Sequence, residues 1–554
     1  MSIDLSRITW ALGLAVTLSL PITRSAHAQQ VPRACADMSA VQVPAASIGL
    51  PTSGARVTVA SPVAPSGTAP RTLGAFCHVA AEIAPVDPAA PPIRLEVNLP
   101  DAWNGKALMY GGGGLNGSLL SSPGTIRLQP ADVAVPLGRG YATFSSDSGH
   151  SGSSSDGSFA LNDEALRNYA YDALKKTRDV AGVLIAARYG RPADKVYFHG
   201  SSNGGKEALG MMQRNPADLD GALVFWPAVN FTRLALQHAR LAKVFLQPGA
   251  YPGIEQRSAV LRAAIQACDK LDGAADGVIA DARRCQSVFD PATATMDGKK
   301  LRCPNDAEGP DCLTTAQIAA LRTLGTPIAL PNGNSYPGYD VWGTDLGSRT
   351  GDAIARTITD QGLGTVASAY PTRPGMPFIQ TFSDQFFKFF VARDANAALP
   401  DFDPEHPGQW QARLDTLGHL MDLNDADLSA FARLGGKVLL LHGKADQIIP
   451  VAGTEQYYAS LVQRMGRDAV AAFLRFYELP ATAHSGNSLA FMPSWDALGA
   501  LDAWVTTGTP PQAPVVVDSY GKPGRSQLLC EYPTSPTYGG TGSMDNAASF
   551  TCAP

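Results

Sequence analysis

The residues best suited to chemistry form one short stretch, Gly200-Ser201-Ser202-Asn203-Gly204. An apolar run, Val196-Tyr197-Phe198, leads into it, and a helix-forming segment, residues 206–214, follows. The pattern is G-x-S-x-G between a strand and a helix, a nucleophile elbow, and Ser202 alone fits its frame. Glycine is needed on both flanks because a side chain there would meet the strand or the helix. A serine hydroxyl attacks only when a base takes its proton. His484, in a loop after the run 471–479, can be that base. Asp446, just past the run 437–441, can fix the tautomer of His484 and stabilise its imidazolium. Asp425 and Asp427 compete for the acid's role but follow no strand. His442 competes as base but precedes the acid. His150 precedes the serine, where a structural hydrogen-bonding role suits it better.

Serine, then acid, then histidine, each after a strand signal, is the order of α/β-hydrolases, and the elements that must position these groups read accordingly. Residues 93–99 alternate apolar and polar as a half-buried strand, and residues 106–110 form a second strand. Gly111-Gly112-Gly113-Gly114 follows at once. Glycine lets a backbone N–H approach a reacting carbonyl, so the oxyanion is assigned to this loop and to the N–H of Asn203. Residues 140–145 predict a strand, 163–189 a long helix, 219–226 a buried parallel strand, and 495–505 a last core helix. Between 231 and 430 helical stretches alternate with loops that carry four cysteines and many Gly and Pro. The expected fold is therefore α/β, an α/β-hydrolase core (29–230 and 431–554) with a large inserted lid domain (231–430). Within the lid, Phe382, Phe386, Phe389 and Phe390 fall at helical spacing. Such a stripe is either core or part of a pocket for an aromatic acyl group. Residues 29–90, rich in Ala, Pro and Ser, are expected to cover the surface of the main domain.

A chain of 554 residues has ample length for a large core. Its net charge of −5 speaks against a polyanion partner such as nucleic acid. Past the N-terminus no stretch is long and apolar enough to span a membrane, so no membrane partner is expected, and the serine, acid and histidine make a small-molecule ester the expected partner. No feature of the sequence bears on oligomeric state. Arg7, the apolar run 8–22 and Ala26-His27-Ala28 predict a secretory signal over 1–28, hence a secreted or periplasmic protein. The eight cysteines, Cys35, Cys77, Cys268, Cys285, Cys303, Cys312, Cys530 and Cys552, then suit disulfides. Eight cysteines allow 105 pairings. They fall in clusters, and pairing between neighbours is the simplest arrangement. Asp269, Asp272 and Asp276, spaced three to four residues apart with Gly273 and Gly277, offer hard oxygen ligands on a tight loop, which suits Ca²⁺. The spacing is not that of an EF-hand, and a solvated acidic turn is the alternative.

Together these features resemble the tannase and feruloyl esterase family, which also contains a mono(2-hydroxyethyl) terephthalate hydrolase. The carriers are YGGGGLNGSL (110–119), DKVYFHGSSNGGKEAL (194–209), CDKLDGAADGVI (268–279), GGKVLLLHGKAD (435–446) and AHSG (483–486). The resemblance implies a triad of Ser202, Asp446 and His484, with oxyanion donors at Gly114 and Asn203. It also implies a structural calcium held by Asp269, Asp272 and Asp276 and the carbonyls of Ala274 and Val278, and the four neighbour disulfides. One departure stands out. The family's cysteine pair beside the nucleophile and the histidine is replaced here by Ser201 and Ser485. The family further implies hydrolysis of hydroxycinnamoyl or galloyl esters, with a terephthalate monoester as the alternative substrate. The family's terephthalate hydrolase reads a carboxylate with a lid arginine, and here Gln385, Lys388 and Arg393 are the candidates for that place. A catalytically weak, calcium-stapled binding protein and a peptidase on the same core are the competing expectations.

Overall fold

A computed structural model describes residues 31–120, 124–347, 362–484, 491–519 and 521–554. The signal segment 1–28 and Ser485 lie outside the described residues. Ten strands form one sheet: β1 (Gln42–Val43), β2 (Ala55–Val63), β3 (Phe76–Ile83), β4 (Ile93–Pro100), β5 (Lys106–Tyr110), β6 (Ala142–Ser146), β7 (Lys195–Ser201), β8 (Gly221–Phe225), β9 (Lys437–Gly443) and β10 (Leu474–Leu479). Their spatial order is β1-β2-β3-β4-β6-β5-β7-β8-β9-β10. The first five in that order pair antiparallel. From β6 onward every pair is parallel. This is an α/β-hydrolase core with an antiparallel extension.

The parallel strands are covered on both faces, which is why they read as unbroken apolar runs. Val196, Tyr197 and Phe198 of β7, Ala222 to Phe225 of β8 and Val438 to Leu441 of β9 are all buried. Each large side chain so buried is worth about 1.5–3 kcal/mol in transfer free energy. The helices that follow these strands supply the covers: α1 (Ala173–Tyr189), α2 (Asn203–Arg214), α3 (Phe231–Phe245) and, near the chain's end, α7 (Ala497–Thr507). Leu498, Leu501 and Trp504 of α7 share an apolar cluster with Leu223 of β8 and Leu439 of β9.

Residues 29–90 depart from expectation. They do not merely coat the core but supply β1, β2 and β3 of the main sheet. Val79, Ala81 and Ile83 point inward from β3, and an alanine among them hides the alternation. The long helix expected over 163–189 is interrupted by a π-helical turn at Asn168–Asp172, ahead of α1. The last strand starts at Leu474 rather than 471, because Arg467–Ala471 closes a short helix.

Between β8 and β9 lies an insertion containing α3, α4 (Ile254–Cys268) and α5 (Phe378–Gln385). It has its own apolar cluster, with Val260, Leu301, Leu313, Leu321 and Trp342. It does not stand free of the core. Phe231, Leu234, Ala235 and Ala239 of α3 belong to the main cluster, whereas Leu241 and Phe245 belong to the second. The phenylalanine stripe is core: Phe382, Phe386 and Phe390 are buried and Phe389 is partly buried. A π-helical turn, Phe386–Ala392, continues α5 and shifts the stripe's spacing. Phe390 meets Phe159 and Tyr169 at centroid distances of 5.6 and 5.9 Å. The structure joins Cys35–Cys77, Cys268–Cys285, Cys303–Cys312 and Cys530–Cys552.

Candidate active site

Ser202 sits between β7 and α2 with φ 61° and ψ −124°, a conformation that costs a non-glycine residue on the order of 1–3 kcal/mol. Its neighbours explain why only glycine serves around it. A Cβ at Gly200 would lie 2.0 Å from the Gly204 carbonyl oxygen, and one at Gly204 would lie 2.6 Å from that of Gly112. The glycine loop after β5 therefore rests directly on the start of α2. The backbone of Ser202 is clamped to the exit of β8. Its N–H donates to the Phe225 carbonyl, and its own carbonyl accepts from Ala228, both at 3.0 Å.

The acid and the histidine arrive on the next two strands. Asp446 follows β9 and His484 follows β10, and the two loops are tied by Ala445 N–H to the Thr482 carbonyl at 3.1 Å. His484 Nδ1 donates to Asp446 Oδ2 at 2.7 Å. Both are buried. Asp446 Oδ1 accepts from the N–H groups of Ile448 and Ile449, each at 2.8 Å. Burial raises the Asp446 carboxyl, but the His484 imidazole and the hydrogen bonds from His442 and His484 outweigh it, holding the group well below the usual carboxylate range. An ionised Asp446 fixes the His484 proton on Nδ1 and leaves Nε2 as the basic nitrogen. The indole of Trp226, one residue past Phe225, lies 6.0 Å from the His484 ring. Thus the segment that clamps Ser202 also packs on His484, and Ser202, Asp446 and His484 lie at one end of the parallel strands β7, β9 and β10, with β8 between the first two.

At the expected oxyanion positions, Asn203 opens α2, and its N–H meets no acceptor among the described residues. Gly114 lies in the glycine loop with φ 56°. Its carbonyl accepts from Tyr169 Oη at 3.1 Å. Glu207 is a residue that motif reading misses. It is fully buried on α2 and accepts from Gly112 N–H at 2.9 Å, Asn116 Nδ2 at 2.6 Å and Asn203 Nδ2 at 3.1 Å. It thereby bolts the glycine loop to the elbow helix. His150 has a structural place, its Nε2 hydrogen-bonded to the Leu115 carbonyl at 2.9 Å and its ring stacked on Phe159. Burial pushes it down to about 4, so it is neutral near pH 7.

The profile of the family described as tannase and feruloyl esterase matches residues 77–553. The chain belongs to that family. It is 38% identical to an uncharacterized esterase of Agrobacterium fabrum, over 98% of this chain and 97% of that one. It is 30% identical to the mono(2-hydroxyethyl) terephthalate hydrolase of Piscinibacter sakaiensis, over 88% of this chain and 87% of the other. Feruloyl esterase B from Aspergillus oryzae superposes with a TM-score of 0.75 at 24% identity, covering 92% of this chain and 98% of that one, which shows the shared fold. The chain is accordingly a carboxylic ester hydrolase.

The three side chains considered as carboxylate readers for this family member are all engaged within the protein. Arg393 holds Asp163 and the Leu161 carbonyl. Lys388 pairs with Asp384 at 2.8 Å. Gln385 Oε1 accepts from Gly157 N–H at 3.1 Å.

The acidic turn follows α4. Asp269 Oδ1 accepts from Asp276 and Gly277 N–H groups, and Asp272 Oδ1 from Ala274 N–H at 3.0 Å. Asp272 Oδ2 is buried without a hydrogen-bond partner among the described residues. Burial above all, with the charges of Asp276 and Asp269 adding to it, pushes the Asp272 carboxyl up to about 6. Ala274 and Val278 are fully buried, and their carbonyls accept no hydrogen bond among the described residues. An orphaned carboxylate oxygen and two orphaned carbonyls on one short turn are donors of the kind a hard cation takes. Among the described residues no three His, Cys, Asp or Glu side chains are grouped so as to hold an ion by themselves. Arg525, 3.5 Å from Asp276 Oδ2, competes for the same charge.

Proposed function

We propose that the chain is an exported serine esterase that cleaves aromatic esters of the hydroxycinnamoyl or galloyl type through an acyl-enzyme. The reading rests above all on the Asp446–His484 pair, which lies at the same end of the parallel strands as the strained Ser202. Ser202 Oγ attacks the ester carbonyl as His484 Nε2 takes its proton. The oxyanion is held by the N–H groups of Asn203 and Gly114, and losing one such donor typically costs about 3 kcal/mol in the transition state. The tetrahedral intermediate collapses, and His484 gives its proton to the departing alcohol. Water, deprotonated by the same nitrogen, then releases the acid and restores Ser202. Asp446 stays ionised throughout. Asp269, Asp272, Asp276 and the carbonyls of Ala274 and Val278 would hold Ca²⁺, which supplies charge balance to a buried acidic turn, away from the bond-making. Export is supported by the N-terminal segment and by the four disulfides.

The prior engagement of Arg393, Lys388 and Gln385 favours an uncharged aromatic acyl group over a terephthalate carboxylate. The terephthalate monoester stays the second reading because of the relative from Piscinibacter sakaiensis. Rates for purified protein on methyl ferulate, methyl gallate and mono(2-hydroxyethyl) terephthalate decide between them. The first reading expects kcat/KM at least about tenfold higher on ferulate or gallate, a difference of about 1.4 kcal/mol. Faster turnover of the terephthalate ester overturns it. Ser202→Ala is expected to remove turnover of every substrate in the panel, and retained turnover refutes the acyl-enzyme.

A further inference from the structure

Asp446 carries more imidazole than a serine triad uses. Besides His484, the ring of His442 lies against it, with Nε2 3.3 Å from Asp446 Oδ2. His442 is the sixth residue of β9, four positions before the acid, and is wholly inaccessible. Its Nε2 also faces the Ile449 carbonyl at 3.1 Å. Both neighbours of Nε2 are acceptors, so the proton must sit on that nitrogen, hydrogen-bonded to the Ile449 carbonyl with Asp446 Oδ2 close beside it. Its Nδ1 lies 2.8 Å from Thr454 Oγ1, on α6 (Val451–Met465). In the neutral ring Nδ1 accepts the threonine hydroxyl proton. Both ring nitrogens are therefore committed, and His442 has none left to take a proton from serine.

We infer that His442 is a positioning residue for the reaction: its Nε2–H edge, held by the Ile449 carbonyl, lies against Asp446 Oδ2 as a second positive contact and limits how the carboxylate turns toward His484. The inference rests on the triad reading given above. Oδ1 is pinned by two backbone N–H groups from Ile448 and Ile449. Those bonds leave Oδ2 free to trade its single imidazole contact for a poorer angle. The His442 ring, packed within 3.3 Å of Oδ2, limits that freedom. Thr454 fixes the far end of the ring, so the order passes from α6 through His442 and Asp446 to His484. A histidine present only to fill the core would stabilise the fold without acting on kcat.

The test is steady-state kinetics on methyl ferulate, or whichever panel ester the protein turns over, with stability measured alongside. His442→Leu is expected to lower kcat about 10- to 100-fold, the order of loss for misplacement by about 1 Å, with KM changed less than about twofold. His442→Gln, which can donate to Asp446 and accept from Thr454, is expected to restore kcat to within about threefold of the parent. In an Asp446→Asn background His442→Leu is expected to lower kcat no further, because the group it positions is gone. An unchanged kcat in His442→Leu, or an undiminished further loss in Asp446→Asn, overturns the inference. Should His442→Leu fail to fold, Thr454→Val carries the test. A fall in kcat at constant KM supports the role, and an unchanged kcat refutes it. Turnover that survives Ser202→Ala would instead bring down the triad reading itself, so the two failures are distinguishable.

Discussion

Replacing Glu207 by glutamine probes how the elbow and the glycine loop are held together. All three partners of its carboxylate are donors: Gly112 N–H, Asn116 Nδ2 and Asn203 Nδ2. A glutamine has one acceptor oxygen and one NH₂ group. With the oxygen toward the two asparagines, the NH₂ group confronts the Gly112 N–H, and a buried donor loses its acceptor. That loss costs about 1–3 kcal/mol, and downgrading the other two bonds from charged to neutral adds about 1 kcal/mol more. The opposite orientation strands two donors and is worse. Lys206 modifies the sum. It is fully buried, has no hydrogen-bond partner among the described residues, and faces the rings of Tyr169, Tyr171 and Phe231 at 5.2, 4.9 and 5.0 Å. Burial pushes it down to about 8, and the charge of Glu207 is the leading opposing effect. Without that charge Lys206 holds its proton less tightly still, and the hydrogen-bond losses put the total near 2–4 kcal/mol. In urea unfolding this is a lower midpoint at unchanged slope. The Gly112 peptide carries Gly113 and Gly114, so kcat is expected to fall on the order of 100-fold if the loop moves by about 1 Å. A variant with parental midpoint and parental kcat refutes the clamp. A variant less stable but equally active refutes its link to the oxyanion loop.

Asp422 is buried and accepts from Thr232 N–H at 2.7 Å, and burial pushes its carboxyl up to about 6. The folded state thus holds the proton more tightly than an unfolded aspartate near 3.9, so this group's stability is full below about pH 4 and is lost as pH rises to about 6, by roughly 3 kcal/mol. Asp422→Asn is expected to flatten that part of the stability–pH curve and to stabilise the protein at pH 7; a curve identical to the parent's refutes this. Removing calcium with a chelator is expected to lower the thermal midpoint, since saturation at 100 times Kd is worth about 2.7 kcal/mol, and added Ca²⁺ should restore it. Insensitivity of the midpoint to both chelator and Ca²⁺ rejects the cation site. Ser201→Cys with Ser485→Cys is expected to form a disulfide, seen as a mass loss of two hydrogens. Two free thiols under oxidising conditions show that the positions do not face each other.

Ser202 could be found from the sequence because its conformation imposes requirements on its neighbours. The close approach of Gly204 to Gly112 leaves a glycine pattern that any reader can see. Asp446 and His484 were legible as candidates for a related reason: each stands in the loop just past a parallel strand, and chain order supplies the rest. Glu207 and His442 lack such a signature. A single buried polar residue is defined by partners far along the chain, and nothing in its spacing announces them. The antiparallel strands β1–β3 were hidden for another reason. Alanines stand at several of their positions, so the alternation that marks a half-buried strand is faint, although β3 pairs with β4 in an unbroken register. The phenylalanine stripe shows the limit of periodicity alone. Its spacing was visible, but its burial against Phe159 and Tyr169 comes from elements over 200 residues away in the chain.

The carbonyl of Ile448, two residues past Asp446, accepts hydrogen bonds at 2.9 Å from His238 on α3 and at 2.8 Å from Tyr339, both within the insertion between β8 and β9. The segment that sets the direction of the acid is thus partly built from the insertion. Exchanging that insertion between relatives to graft a new substrate preference would therefore also replace two of the struts under the proton relay. Chimeras cut at the strand ends should lose turnover unless His238 and Tyr339 travel with the host, whereas changes confined to other loops of the insertion leave the relay untouched. For evolution, as for a designer, that divides the insertion into a part free to drift and a part bound to the chemistry.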